Sequence, residues 1–179
     1  ISVFPNKLSD FPIIITAALN ESASVKNRIT EDRPSIPNIE EYEMVYSGPN
    51  FFVNNPFNKS ARIKCKKNQD YDCVNLMVIN DSYVPRTRYR RLLNKNSFIN
   101  LIEGFTTSQN ECDSKMYNKW IDYYKLGFRS MIGPSAERTL TAAILPHKSS
   151  HIHGVTSIIF SEQEKLIEFA GLCGSLPLD

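Results

Sequence analysis

The clearest periodicity in the chain lies between residues 113 and 131. Met116, Trp120, Tyr124, Phe128 and Met131 recur at spacings of four, four, four and three, which predicts a helix with one buried face. Lys115, Lys119, Asp122, Lys125 and Arg129 fall on its other faces. Gly133 and Pro134 end it, because glycine accepts a left-handed cap and proline cannot continue the backbone ladder. The apolar run LTAAIL at 140–145, stopped by Pro146, reads as a strand buried on both faces, with a helix fragment as the other reading. Between the two lies a charged turn that carries Glu137 and Arg138.

Elsewhere the pattern is mostly that of strands. Residues 11–19, FPIIITAAL, begin as a strand, and the polar stretch 20–38 with two prolines is a loop with room for one helical turn. A half-exposed strand over 39–45, a turn at 47–50 and a short strand at 51–53 follow. Residues 59–68 form a basic loop, 71–79 another strand, and 80–82 a turn into VPRTRYRRLL. If that segment is extended, Arg86, Arg88 and Arg90 share one face; if it is helical they scatter. Residues 96–110 are ambiguous. A polar loop at 147–154 leads to a strand at 155–160, and Ser161 to Glu164 has the S-x-x-E form of a capping box. It opens a helix with Leu166, Ile167, Phe169, Ala170 and Cys173 inward, closed by Gly174. The sum is one α+β domain, with strands dominating the first half and a helix-strand-loop-strand-helix unit in the second.

Length agrees with one domain, since 179 residues suffice for one sizeable core and are short for two. The chain begins at Ile1 without a methionine and stops at Asp179 without a tail, which reads as an excised piece of a longer polypeptide. No window approaches the roughly 20 apolar residues of a membrane helix, and the first residues lack the basic region of a signal peptide; a soluble cytoplasmic protein with no membrane partner is expected. Cys65, Cys73, Cys112 and Cys173 contain no C-x-x-C pair and read as reduced thiols in preference to disulfides or a zinc site.

Charge changes the picture more. The whole chain carries +2, but residues 59–95 hold ten basic and three acidic side chains, a local +7 that leaves −5 for the remainder. Such a concentration fits a face for a polyanion, or else a solvated basic loop.

Catalytic patterns are missing. The seven glycines are dispersed, so no phosphate-cradling loop is present. Asp113 and Lys115 have the spacing of half a nuclease metal site without its partner, and Asn54-Asn55-Pro56-Phe57 has one proline where the adenine-gripping N-P-P-Y/F loop has two. His147, His151 and His153 lie close together and read as a polar loop, a nucleic-acid contact or a metal site. No carboxylate accompanies them within the cluster.

Four blocks, SGPNFFVNNPFNKSAR, YDCVNLMVINDSYVPRTRYR, YYKLGFRSMIGPSAERTLTAAILP and SIIFSEQEKLIEFAGLCGSLPLD, resemble the region after the catalytic domain in bacterial DNA adenine-N6 methyltransferases. These include fused restriction-methylation enzymes and phage-defence methylases. The likeness spans about Tyr42 to Asp179. It implies a target recognition (specificity) region that binds double-stranded DNA beside the methyltransferase domain of the same parent chain. It also implies that S-adenosylmethionine and catalysis, with or without nuclease activity, belong to that parent. No catalytic residue and no metal ligand carries over to this chain. The alternative is a scaffold that packs against the methyltransferase or a partner subunit without reading DNA.

On the DNA-binding reading, Arg86, Arg88, Arg90 and the loop lysines, Lys59 and Lys64 among them, neutralise phosphates, which fixes register, and Arg62 and Arg129 are further DNA-binding candidates. Arg138, Lys148 and His151 are the candidates for base contacts. Arg138 has a second reading, as partner of Glu137 or as a cap on backbone carbonyls.

Overall fold

The computed structural model describes residues 11–20, 29–30, 41–102, 104–105, 118–131, 133 and 136–175. In chain order the strands are β1 (Ile13–Thr16), β2 (Ile29–Thr30), β3 (Val45–Tyr46), β4 (Lys59–Ala61), β5 (Tyr71–Cys73) and β6 (Arg90–Arg91). Helix α1 (Lys95–Leu101) follows, then β7 (Gly104–Phe105), β8 (Asn118–Lys119), β9 (Lys125–Arg129), β10 (Ala142–Leu145), β11 (Ser150–His151), β12 (Val155–Phe160) and helix α2 (Gln163–Cys173). The architecture is α+β in one domain, as the sequence pattern predicts.

An antiparallel sheet in the order β1-β12-β9-β10 is the frame. β12 alternates buried Val155, Ser157 and Ile159 with half-buried Thr156, Ile158 and Phe160, the period-two pattern of a strand covered differently on its two faces. One face, through Leu126, Ala142, Phe128, Ile144 and Phe160, meets Leu166, Ala170 and Cys173 of α2. Behind the other face pack Tyr46, Phe51, Trp120 and Ile121, and Phe98 of α1. A hairpin of β4 and β5 stands beside this frame with its own small cluster of Ala61, Cys65 and Tyr71.

The structure corrects the most periodic segment of the sequence. Residues 118–129 are a short strand, a single 3-10 turn at Trp120–Asp122 and the strand β9, not a helix; residues 113–117 lie outside the described ones. Two of the five residues predicted to be buried, Tyr124 and Met131, are exposed. β9 is hydrogen-bonded on both sides, to β10 and β12, and that pairing overrides helical spacing. Gly127 permits it, since a Cβ there would lie 2.6 Å from Leu145 Cδ1.

Smaller corrections have local causes. The ladder of β5 stops at Cys73, so the apolar residues after it are in exposed turns and not in a strand. Around Phe52 there is only an isolated bridge to Asn55. In the ambiguous stretch, Asn94 accepts a hydrogen bond from the Ser97 amide at 2.9 Å and starts α1, which buries Phe98. Helix α2 starts after Glu162 with no side-chain cap in place of the Ser161 capping box, and Ile167 faces solvent. No described glycine has a positive φ, so neither Gly133 nor Gly174 forms a left-handed cap.

Candidate nucleic-acid interface

Residues 84–91 settle the choice between extended and helical arginines. Thr87 and Tyr89 are buried while Arg86, Arg88 and Arg90 are half-buried on the opposite side, the alternation of extended chain. Arg86 lies alongside β4: its amide donates to Ser60 Oγ at 3.0 Å, its carbonyl accepts from the Ala61 amide, and its Nη2 donates to Ile63 O at 3.1 Å. Arg88 stands over the Tyr89 ring, 4.9 Å from its centroid, and Arg90 is 4.0 Å from Glu43.

Other predicted DNA contacts are engaged within the protein. Arg62 donates through Nε and Nη2 to Asp72 Oδ1 at 2.9 and 2.7 Å. Arg138 donates to Ser175 O at 3.2 Å, just past α2, in the carbonyl-capping role that was its second reading. Lys148 pairs with Glu41 at 2.6 Å, and Glu41 also accepts Lys95 at 2.6 Å. The two ammonium groups hold the Glu41 carboxyl down at about 2. Lys59 is half-buried in β4, whereas Lys64, Lys66 and Lys67 are exposed on the turn between β4 and β5.

His151 is the clearest correction. It is fully buried beneath Trp120, so it cannot touch DNA in this fold. Its Nδ1 lies 3.2 Å from Ile152 O, and a carbonyl only accepts, so Nδ1 carries the proton and Nε2 accepts from Ser157 Oγ at 2.8 Å. Burial pushes the imidazole down to about 4, and the nearby Lys125 ammonium acts in the same direction. The other histidines face different surroundings: His147 is edge-on to Tyr124, and His153 is exposed. Among the described residues no group of three His, Cys, Asp or Glu side chains is placed to hold a metal ion.

One concave basic surface is present. A cleft of about 400 Å³ lies where the C-terminal end of β9, the β11–β12 turn, the 3-10 turn after β3 and the β4–β5 hairpin converge. Arg129 and Arg88 line it together with Ser130, His153, Asn68 and Tyr71, and no carboxylate is among its lining residues. Among the described residues no side chain or carbonyl pairs with the Arg129 guanidinium, and its Nε is buried. Burial without a counter-charge pushes Arg129 below the usual guanidinium range. Chemically the cleft offers two guanidinium groups to an oxyanion, with hydroxyl and imidazole donors at its rim.

Of the residues singled out in the sequence, the fold brings Arg88 and Arg129 to this cleft. It places Lys59, Arg62 and Lys64 on the adjoining hairpin, and sets Arg138, Lys148 and His151 apart from it. His153, one of the three clustered histidines, lines the cleft, whereas Asn68, Tyr71 and Ser130 were not predicted as contacts and share no local motif. No family model matches this chain, and no characterised protein or solved structure matches it.

Proposed function

We propose that this chain binds double-stranded DNA as the target recognition region of a DNA adenine-N6 methyltransferase or fused restriction-methylation enzyme of the cytoplasm. The parent chain supplies S-adenosylmethionine chemistry and any nuclease activity. The reading rests on the four sequence blocks and on one observation above all: a carboxylate-free cleft in which Arg129, lacking a protein partner among the described residues, stands with Arg88. A partly desolvated guanidinium without a counter-ion gains by receiving a phosphate oxygen. Asn68 at the cleft rim belongs to the turn that carries Lys64, Lys66 and Lys67, so these lysines extend the basic surface outward.

Affinity for duplex DNA measured against salt tests the reading. Binding weakens with a log–log slope of about 0.9 per neutralised phosphate, and Arg129→Ala lowers that slope by about one contact. Flat binding from a folded chain would sink it.

A different surface favours the scaffold alternative. An apolar groove of about 550 Å³ runs between β1, β12 and α2, lined by Phe11, Ile13, Phe160, Phe169 and Leu172, and fits packing against a neighbouring domain. In that case alanine substitutions in the groove disturb assembly while the arginines of the cleft are neutral.

A further inference from the structure

The β4–β5 hairpin ends in an apolar point. After Cys73 the chain makes two successive Asn-based turns, with the Met77 amide donating to Asn75 Oδ1 at 3.0 Å and the Ser82 amide to Asn80 Oδ1 at 3.1 Å. The excursion is closed at its base by the edge-to-face pair Phe57 and Tyr83, with ring centroids 6.0 Å apart. These turns present Leu76, Met77 and Val78 outward, with Met77 90% and Val78 77% exposed. Three consecutive apolar side chains on a hydrogen-bonded, anchored loop forgo burial that a collapsed loop would recover at about 25 cal/mol per Å². Such a tip is built to be covered by something else.

Charge on the same hairpin says what covers it. The acidic groups of its two strands and turn are occupied internally: Asp72 takes Arg62, and Asp70 Oδ2 accepts the Lys66 and Lys67 amides, each at 2.9 Å, while Asp81 is exposed on the far side of the tip loop. The Lys64, Lys66 and Lys67 side chains are exposed. Lys59 pairs with Cys73 at the end from which the tip emerges. The three-residue ladder, about 10 Å long, separates the lysine turn at one end of the hairpin from the tip at the other, so a partner that meets both is elongated. A partner that suits both ends is an elongated polyanion with apolar surfaces in its interior.

We propose that Leu76, Met77 and Val78 form a wedge that inserts between base pairs of duplex DNA while the lysine turn of the same hairpin holds the phosphates. Met77 leads. Its unbranched, polarisable thioether adapts to the faces of unstacked bases, and Leu76 and Val78 seal the step from water. The inference rests on the DNA-binding reading and adds a deformation to it: the duplex kinks at the wedged step, so base-step flexibility contributes to site choice without a base-edge hydrogen bond.

The test uses the full chain and mixed-sequence duplexes, reading affinity and permanganate reactivity, which reports unstacked thymines. The unsubstituted chain generates hyperreactive thymines. The combined Leu76→Ala, Met77→Ala, Val78→Ala variant loses them and binds about tenfold more weakly, with its salt slope unchanged, while Met77→Leu keeps them. If the triple variant matches the unsubstituted chain in affinity and reactivity, the wedge is refuted and DNA binding stands. If the unsubstituted chain does not bind duplex, both readings fail. Sedimentation with phosphatidylserine vesicles that depends on these three residues, without thymine reactivity, would overturn the proposal in favour of a lipid surface.

Discussion

The Arg129 side chain lies across Gly48: a Cβ built on that glycine would sit 3.3 Å from Arg129 Nε and 3.7 Å from its Cγ. The guanidinium reaches the cleft over a residue that has no side chain to block it. Gly48 opens a 3-10 turn and has no positive φ, so alanine is sterically compatible with its backbone. Gly48→Ala is expected to leave the unfolding midpoint nearly unchanged while displacing Arg129 by a few tenths of an ångström. DNA affinity should fall, though less than in Arg129→Ala, and the two substitutions together should cost no more than Arg129→Ala alone. Titrations of the three variants at one salt concentration provide the check.

Acid sensitivity follows from His151. Its folded-state value of about 4 lies below the unfolded value near 6.5, so the unfolded chain binds the proton more tightly. Stability is therefore level above about pH 6.5, falls as pH drops toward about 4, and loses about 3 kcal/mol over that window. Urea midpoints across this range should show the decline. In His151→Gln, which cannot titrate, the slope should vanish even though the neutral-pH midpoint is lower. The Glu41 carboxyl, held near 2 by Lys148 and Lys95, acts mainly at still lower pH.

Lys125 is fully buried, its Nζ 3.1 Å from Tyr123 O, 3.0 Å from Pro146 O and 3.5 Å from Ser149 Oγ, with the Trp120 ring 5.8 Å away. Burial pushes the amine down to about 7, against the opposing pull of the Asp122 carboxylate. Three acceptors matched to three ammonium protons, together with the ring face, oppose that shift and favour the charged form. Lys125→Met should destabilise by about 2 kcal/mol, because the acceptors lose their donor in a dry site. An equally stable methionine variant would mean that the amine is buried neutral.

The contact between Gly127 and Leu145 gives a coupled pair. Gly127→Ala forces a methyl against Leu145 Cδ1 and should cost about 1–3 kcal/mol. Adding Leu145→Ala removes the clash, so the double variant should be clearly less destabilised than the sum of the two single ones. Thermal or urea unfolding of the set decides it.

Strands and helices with strong local signals were legible from residue order. β10 ends before Pro146, β12 alternates its burial, and α2 carries an inward stripe of Leu166, Ala170 and Cys173. The segment 116–131 misled because helical spacing reports which residues are apolar and not which neighbours arrive. Once β10 and β12 flank it, the backbone of β9 finds partners on both sides across the sheet. Tyr124 and Met131 are then left outside.

Residue order alone established an α+β chain, a basic stretch at 59–95 and the absence of familiar catalytic patterns. Tertiary structure decided which cations are available. It spent Arg62, Arg138 and Lys148 on internal partners, buried His151, and brought Arg88 and Arg129 from distant segments to one cleft. Ion pairing and burial depend on distance in space, which local sequence leaves open, whereas periodicity and charge count are properties of order along the chain.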